Sequence, residues 1–379
     1  MYYFDHSATT QPLKSVIETY SKVAQDYFAN PSSAHGMGEE SKQLLHQARK
    51  QIADILDYSV DEIYFTGSGT EANNWFLRAV IPALYDRQGG KNYRLLISPI
   101  EHPSISKQIP VLEKLGYQVE LLQVDQDGMI DIKHLERLLE EGQVLALSTM
   151  AVNNEVGAVQ DIQAIGDLLK LYPQVIWHVD GVQAVTTQLD LLKEARIDCL
   201  SLSSHKFHAV RGVGIFAKRQ RVPSLPIQYG GGQERDLRSG TENLAGIVAT
   251  SKALRLAQEA QETSIQKIRI FRQALVDRLE ANHWQVFAKE ADSHIVCASL
   301  APMPGEVLLH AFEALDIYVS TTSACSSRNH QEHTTLRAMG ISSQLSNSAI
   351  RWSLSQHTKA EEVDYLLSKI PEISQQFIK

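Results

Sequence analysis

Short apolar runs alternate with longer amphipathic stretches through most of the chain. Ile63–Thr66, Arg94–Ser98, Val119–Val124, Val144–Ser148, Val175–Asp180, Asp198–Ser203 and Val213–Ala217 have strand length. Those that stay apolar at successive positions predict strands buried on both faces. Helical patterns fall between them: a long one ending near Leu56, one through Trp75, Leu77 and Val80, one that Pro110 kinks or delays, and two more at about Asp131–Glu140 and Asp161–Leu171. This alternation predicts an α/β architecture, a mainly parallel sheet covered by helices, with ligands at the carboxyl ends of the strands. Before it come a short strand at Tyr2–Phe4 and, after Pro12, a helix face through Val16, Ile17, Tyr20, Val23 and Tyr27. From Leu244 to about Leu279 the composition is helical, with an expected break near Glu262-Thr-Ser264. A smaller α+β unit should follow: a strand at Ile295–Leu300, a helix after Pro304-Gly305, a strand at Ile317–Ser320 and a last helix.

Composition narrows the classes. A chain of 379 residues exceeds one usual core, so a large domain with a smaller companion is expected. With 43% hydrophobic and 21% charged residues it is neither disordered nor fibrous. A formal net charge of −8 gives no footprint for nucleic acid or for a membrane surface. Three scattered cysteines, Cys199, Cys297 and Cys325, form no disulfide framework and have no metal-ligand spacing, which suits a reducing cytoplasm. Neither a signal-peptide core nor a membrane-length apolar run is present, so the expected location is cytoplasmic.

Chemistry gathers where strands end. Val175-Ile-Trp-His-Val-Asp180 and Asp198-Cys-Leu-Ser-Leu-Ser-Ser-His-Lys206 each begin apolar and finish polar. Asp180 and Lys206 are therefore spaced as the ends of two neighbouring parallel strands. A lysine to hold an aldehyde and a carboxylate to keep a pyridine nitrogen protonated are what pyridoxal phosphate requires; an ordinary ion pair is the competing reading. Gly67-Ser-Gly-Thr-Glu-Ala-Asn-Asn74 turns a strand into a helix and offers bare N–H groups to a phosphate, or is a plain tight turn. His102 follows a strand end, where an imidazole can stack on a ring and exchange protons. Asn154 lies in Val152-Asn-Asn-Glu-Val-Gly157 and can donate to an oxyanion, while His35, beside Asn30-Pro-Ser-Ser, suits a cap.

Later stretches add to this. Tyr229–Asn243 reads as a long, mobile-looking loop whose Arg235, Arg238, Ser239 and Thr241 can wrap an anion, including one bound by a neighbouring subunit. Cys199 and Cys297 lie in apolar runs and read as inert core. Cys325 sits in the polar stretch Ser320–His333 and is the nucleophile candidate. Arg351, between Ile350 and Trp352, suits either a bidentate grip on a carboxylate or a structural ion pair.

Taken together, these stretches closely resemble the cysteine desulfurases of the NifS and IscS type within the class V aminotransferases. The matching segments run nearly end to end: Asp5 with Ala8-Thr-Thr10, Asn30-Pro-Ser-Ser-x-His35, Thr70-Glu-x-Asn-Asn74, Glu101-His102, Asn153-Asn-Glu-x-Gly157, His178-Val-Asp180 with Gln183, Ser203-x-His-Lys206, Arg238-Ser-Gly-Thr241, Ser323-Ala-Cys325 and Arg351. The resemblance implies pyridoxal phosphate fold type I, a homodimer, and residues 15–255 as the large cofactor domain with 1–14 and 256–379 as the small one. It implies Lys206 as the lysine that holds the cofactor, Asp180 as the partner of its ring nitrogen, Gln183 as a donor to the ring hydroxyl and His102 as the stacked imidazole. Phosphate contacts would come from Gly69, Thr70, Ser203 and His205, with Thr241 reaching across the dimer. Asn154 and Arg351 would hold the carboxylate of L-cysteine, and Cys325 would take the sulfur for an acceptor protein in iron–sulfur assembly or tRNA thiolation. The alternatives are another reaction of the same family, transamination or selenocysteine cleavage, and a silent scaffold for a sulfur-handling partner. Two segments depart from the family pattern: Phe207-His-Ala-Val-Arg211 stands where Gly-Pro-Lys is common, and the loop after Cys325 lacks the usual Leu-Glu-Pro-Ser.

Overall fold

The fold comes from a computed structural model, which describes residues 1–89, 93–322 and 335–377. The chain opens with β1 (Tyr2–Tyr3); the apolar runs then form β2 (Ile63–Thr66), β3 (Arg94–Ile97), β4 (Gln118–Leu121), β5 (Val144–Met150), β6 (Ile176–Asp180), β7 (Cys199–Ser203) and β8 (Gly214–Lys218). β2 to β8 make one seven-stranded sheet in the order β2-β8-β7-β6-β5-β3-β4. β3 to β7 pair in parallel, whereas β8 is antiparallel to both of its neighbours. The reason is local. Between Ser203 and Gly214 there is only one 3-10 turn, Ser204–Lys206, too little chain for the crossover that a parallel partner needs.

Every residue of β5, β6, β7 and β8 is buried, as their near-continuous apolar character requires. Successive side chains feed opposite layers. Phe65, Leu96, Leu200 and Ile215 join the apolar cluster under the helices Lys14–Asp26, Gly36–Leu56 and Leu244–Glu259. Tyr64, Leu95, Cys199 and Phe216 join the other, against Gly69–Trp75 and its continuation to Arg87. The edge strand β4 is exposed at both ends.

A separate core holds Phe4, Leu275, Leu308, Ile350, Trp352 and Leu366. Its sheet contains β9 (Gln285–Phe287), β10 (Ile295–Ser299), β12 (Ser320–Thr321) and β13 (Ala349–Ser353) in the antiparallel order β12-β13-β10-β9, and β11 (Ile317–Tyr318) pairs in parallel with β1. The strand expected over 317–320 is thus divided at Val319 between two sheets. β9 and β13 carry no clear signal in the sequence; Arg351 interrupts the apolar pattern of β13. The helix break comes at Ala260, before Glu262, and Pro110 falls in the first turn of Ile109–Lys114, a second short helix after Pro103–Ser106. No helix among the described residues is long and apolar enough to cross a membrane.

Candidate active site

Asp180 is the last residue of β6 and is buried. Its Oδ1 accepts from the Val182 N–H at 3.0 Å and its Oδ2 from Asn73 Nδ2 at 2.7 Å. The same Asn73 amide donates to Ser104 Oγ at 2.8 Å, and Ser104 Oγ lies 2.8 Å from His102 Nδ1. Since His102 Nδ1 also accepts from the Ser104 N–H at 3.1 Å, neutral His102 carries its proton on Nε2. One chain of hydrogen bonds therefore links the carboxylate to the imidazole. Burial lowers the His102 pKa; Asp180 opposes this and Lys206 adds to it, so His102 lies within electrostatic reach of both. Glu101 is buried beside them, and burial, reinforced by Asp180, raises its carboxyl well above the usual range.

Lys206 ends the short turn that follows β7. Its Nζ donates to the Ser7 carbonyl at 2.5 Å and to that of Ala8 at 2.9 Å, and Gln183 Nε2 donates to the same Ser7 oxygen at 2.9 Å. The N-terminal segment thus crosses the carboxyl edge of the sheet, pinned by Thr10 N and Oγ1 to the His205 carbonyl at 2.9 and 2.8 Å. His205 Nδ1 faces Thr9 Oγ1 at 3.1 Å; burial first, then Lys206 and Arg211, bring its pKa down to about 4, so it is neutral near pH 7.

The glycine-rich turn is placed by close approach. A Cβ on Gly69 would meet Ser203 Cβ and Val182 Cγ2 at 3.0 Å, and one on Gly214 would meet the Ser68 carbonyl oxygen at 2.4 Å. Only glycines let this turn lie against β7 and β8. The Gly69 N–H points at Ser203 Oγ, 3.4 Å away, Ser68 caps the helix by accepting from the Glu71 N–H, and Thr70 is exposed. Thr241 is exposed too, but its loop is not loosely held. Arg238 Nε pairs with Glu71 Oε1 at 2.8 Å, and Gln228 Nε2 donates to the Ser239 carbonyl at 2.6 Å. The mobile-looking loop expected from composition is a tightly bonded turn.

Arg351 lies in the middle of β13. Its Nη2 pairs with Asp5 Oδ1 at 2.8 Å, its Nη1 donates to the Asn154 carbonyl at 2.9 Å, and its buried Nε has no protein partner among the described residues. Arg351 is thus ion-paired, the structural alternative of the sequence reading, with its guanidinium held by Asp5 and the Asn154 carbonyl. Asn153, not Asn154, anchors the turn, donating to the Ile100 carbonyl at 3.0 Å and to Thr335 Oγ1 at 3.2 Å. Cys325 lies outside the described residues. Cys199 and Cys297 are fully buried, and burial pushes both thiols up, away from thiolate chemistry. His35 is a helix cap, its Nδ1 accepting from the Gly38 N–H.

An amine, a fixed buried carboxylate hydrogen-bonded through Asn73 and Ser104 to a neutral imidazole, and a glycine-rich N–H turn fit the groups of pyridoxal phosphate. Sequence reading found these residues but gave no role to Asn73, Ser104 or Gly214. Asn73 appears in the sequence within Thr70-Glu-x-Asn-Asn74, but nothing there marks it as the hub.

The family model for class-V aminotransferases matches residues 2–366. A NifS/IcsS protein homolog from Lactobacillus delbrueckii subsp. bulgaricus is 40% identical over 100% of this chain and 98% of its own length. Cysteine desulfurase IscS from Methanosarcina thermophila is 35% identical over 98% of this chain and 92% of its own. Among solved structures, a NifS-like protein superposes with a TM-score of 0.91 at 34% identity, covering 100% of both chains. With the fold, the site and these relatives in agreement, the chain belongs to the class-V aminotransferase family, pyridoxal phosphate proteins of fold type I.

Proposed function

We propose that this protein is a cysteine desulfurase, converting L-cysteine to L-alanine and leaving a persulfide on Cys325. The observation that carries the reading is the convergence of Lys206, Asp180 and His102 at one edge of the sheet, in a chain whose relatives are named for that activity. When bound, the cofactor supplies an electron sink for the bonds around the substrate Cα. Lys206 would hold it covalently, and its free amine would move the Cα proton of the substrate. Asp180, aimed by Asn73 and the Val182 N–H, stabilises positive charge at the ring nitrogen, and neutral His102 presents Nε2–H as a proton carrier. Gln183 shares the Ser7 carbonyl with Lys206 and, in this reading, would donate to the ring hydroxyl.

Gly69, Thr70, Ser203 and His205 hold the phosphate in this reading, with Thr241 from a second copy. Arg351, fixed by Asp5, and Asn154 hold the substrate carboxylate. The Cβ–S bond of L-cysteine breaks, its sulfur bonds to Cys325 Sγ, and the two thiol protons end on the persulfide and on the new methyl group. The persulfide then passes to an acceptor protein, in iron–sulfur assembly or tRNA thiolation. The active form is a homodimer, with residues 15–255 as the large domain and 1–14 with 256–379 as the small one, a division that the separate apolar cores support. The test supplies L-cysteine and a reductant to the cofactor-loaded protein. Alanine and sulfide should appear together and vanish in Lys206→Ala, and borohydride should label Lys206. Label on another lysine, or cysteine loss without alanine, refutes the assignment.

A further inference from the structure

Glu234, Arg235 and Asp236 have φ of 46°, 58° and 63°, three consecutive left-handed residues, none of them glycine. Residues with a Cβ visit this region singly and at a cost, so a run of three persists only where its surroundings impose it. Glu234 supplies the imposition. Its carboxylate takes both Arg49 Nη atoms at 2.8 Å, and Oε2 also accepts from the Phe65 N–H at 3.0 Å. The pair is almost entirely buried, with side chains 10% and 2% exposed. Arg235 is locked as well, its Nη1 donating to the Ile63 carbonyl and its Nη2 to that of Val60.

Part of this caps the open edge of the sheet, since the Phe65 N–H and Ile63 carbonyl face outward from β2. Water can cap such groups without a buried ion pair or a strained backbone. What the strain adds is position. A second clamp, Arg238 on Glu71, follows within the same loop, and the Gly240 N–H closes it on Gln233 Oε1 at 2.9 Å. Next in the chain is Thr241, exposed on its own subunit.

We propose that the Arg49–Glu234 pair is a positioning device: it forces the 234–236 turn so that Thr241 is presented, already ordered, to the phosphate bound in a second copy of this chain. The inference rests on the reading of Thr241 as a residue acting across a dimer. An ordered donor loses little freedom on binding, so its contact contributes more to affinity than that of a loose loop. The side chains of Arg49 and Glu234 bond each other and the backbone of β2, so the pair acts through the loop.

Heterodimers of differently tagged chains, each with one live Lys206, separate this role from edge capping. The cofactor is removed and returned, and its dissociation constant is read from borohydride trapping on Lys206. The reference is wild type paired with Lys206→Ala. Wild type paired with Lys206→Ala/Glu234→Gln puts the altered loop across from the live site, and the dissociation constant should rise about tenfold, the worth of one oriented hydrogen bond to a charged group. Glu234→Gln paired with Lys206→Ala puts it on the live subunit itself, and the constant should match the reference. A merely structural pair would weaken the live subunit's own site; equal effects in both arrangements, or none when across, overturn the proposal. Arg49→Met/Glu234→Met, which strands no buried charge, is run in both arrangements, and the same split is required of it even if Glu234→Gln does not fold. Thr241→Ala placed across is the control. If it has no effect the cross-chain reading falls and this inference with it; if it weakens binding while the Glu234 variants do not, only the inference falls.

Discussion

Asn73→Ala tests whether the link between the carboxylate and the imidazole matters to the chemistry. The substitution removes the 2.7 Å bond to Asp180 and the 2.8 Å bond to Ser104, leaving the Val182 N–H as the hydrogen-bond donor to the Asp180 carboxylate among the described residues. A hydrogen bond to a charged group contributes about 1.5–3 kcal/mol and a neutral one about 0.5–1.5 kcal/mol. If about 2 kcal/mol of this is expressed in the transition state, kcat/KM for alanine formation falls about thirtyfold. Asn73→Asp should do worse, because it turns a donor to Asp180 into a second negative charge beside it. Alanine release under steady state gives the rate, and the pH titration of the bound cofactor's absorbance follows its imine proton, whose pKa would respond to the charge that Asp180 is proposed to stabilise on the ring nitrogen. Urea unfolding of each variant separates lost activity from lost fold. Wild-type kcat/KM with an unshifted absorbance titration in Asn73→Ala would refute the network as an orienting device.

Gly214→Ala should destabilise the fold by about 1–3 kcal/mol and weaken cofactor retention, because its Cβ would overlap the Ser68 carbonyl and push the turn off β8; thermal melting and cofactor titration check both, and unchanged values reject the close-approach argument. His178 and His294 are fully buried with pKa values lowered to about 3, the first by burial and the second by burial followed by His6, Lys206, Arg351 and His208. Their folded values lie below the unfolded one, so their stabilisation is complete above about pH 6.5 and is lost as pH falls from there toward the folded pKa, by about 2 kcal/mol each at about pH 5. Glu155, raised to about 7 mainly by burial, contributes with the opposite sign, so the measurement is the difference between wild type and His294→Gln in urea unfolding at about pH 7.5 and about pH 5. A variant with the full wild-type pH dependence refutes the assignment. Cys325→Ser should keep Cα deprotonation, read as exchange of the Cα hydrogen with deuterated solvent, and lose persulfide formation, since a hydroxyl is a far poorer nucleophile than a thiolate; alanine at the wild-type rate would refute its role.

Local pattern was enough to define the central sheet. β2 appears in the sequence at its observed limits, and β3 and β5 to β8 within a few residues, because strands buried on both faces are largely apolar along their length. The same logic placed Asp180, Lys206 and His102 at strand ends, where a parallel sheet gathers its ligands. The chain alone also identified Cys199 and Cys297 as core, since each lies in a short, mainly apolar run of strand length. What pattern could not carry were relations between distant segments. β1 lies beside β11 and Phe4 enters the second core, partnerships made across more than 300 residues and invisible to any local window. β13 escaped because Arg351, polar in a buried strand, is tolerated only once folding brings Asp5 and the Asn154 carbonyl to it. The left-handed run at 234–236 escaped for a related reason: no residue there prefers it, and Arg49, from a distant helix, imposes it through Glu234. Periodicity decided which residues face a core and which end a strand; only the folded chain decided which polar groups meet, because each of those meetings closes a long loop whose partners have no local preference for one another.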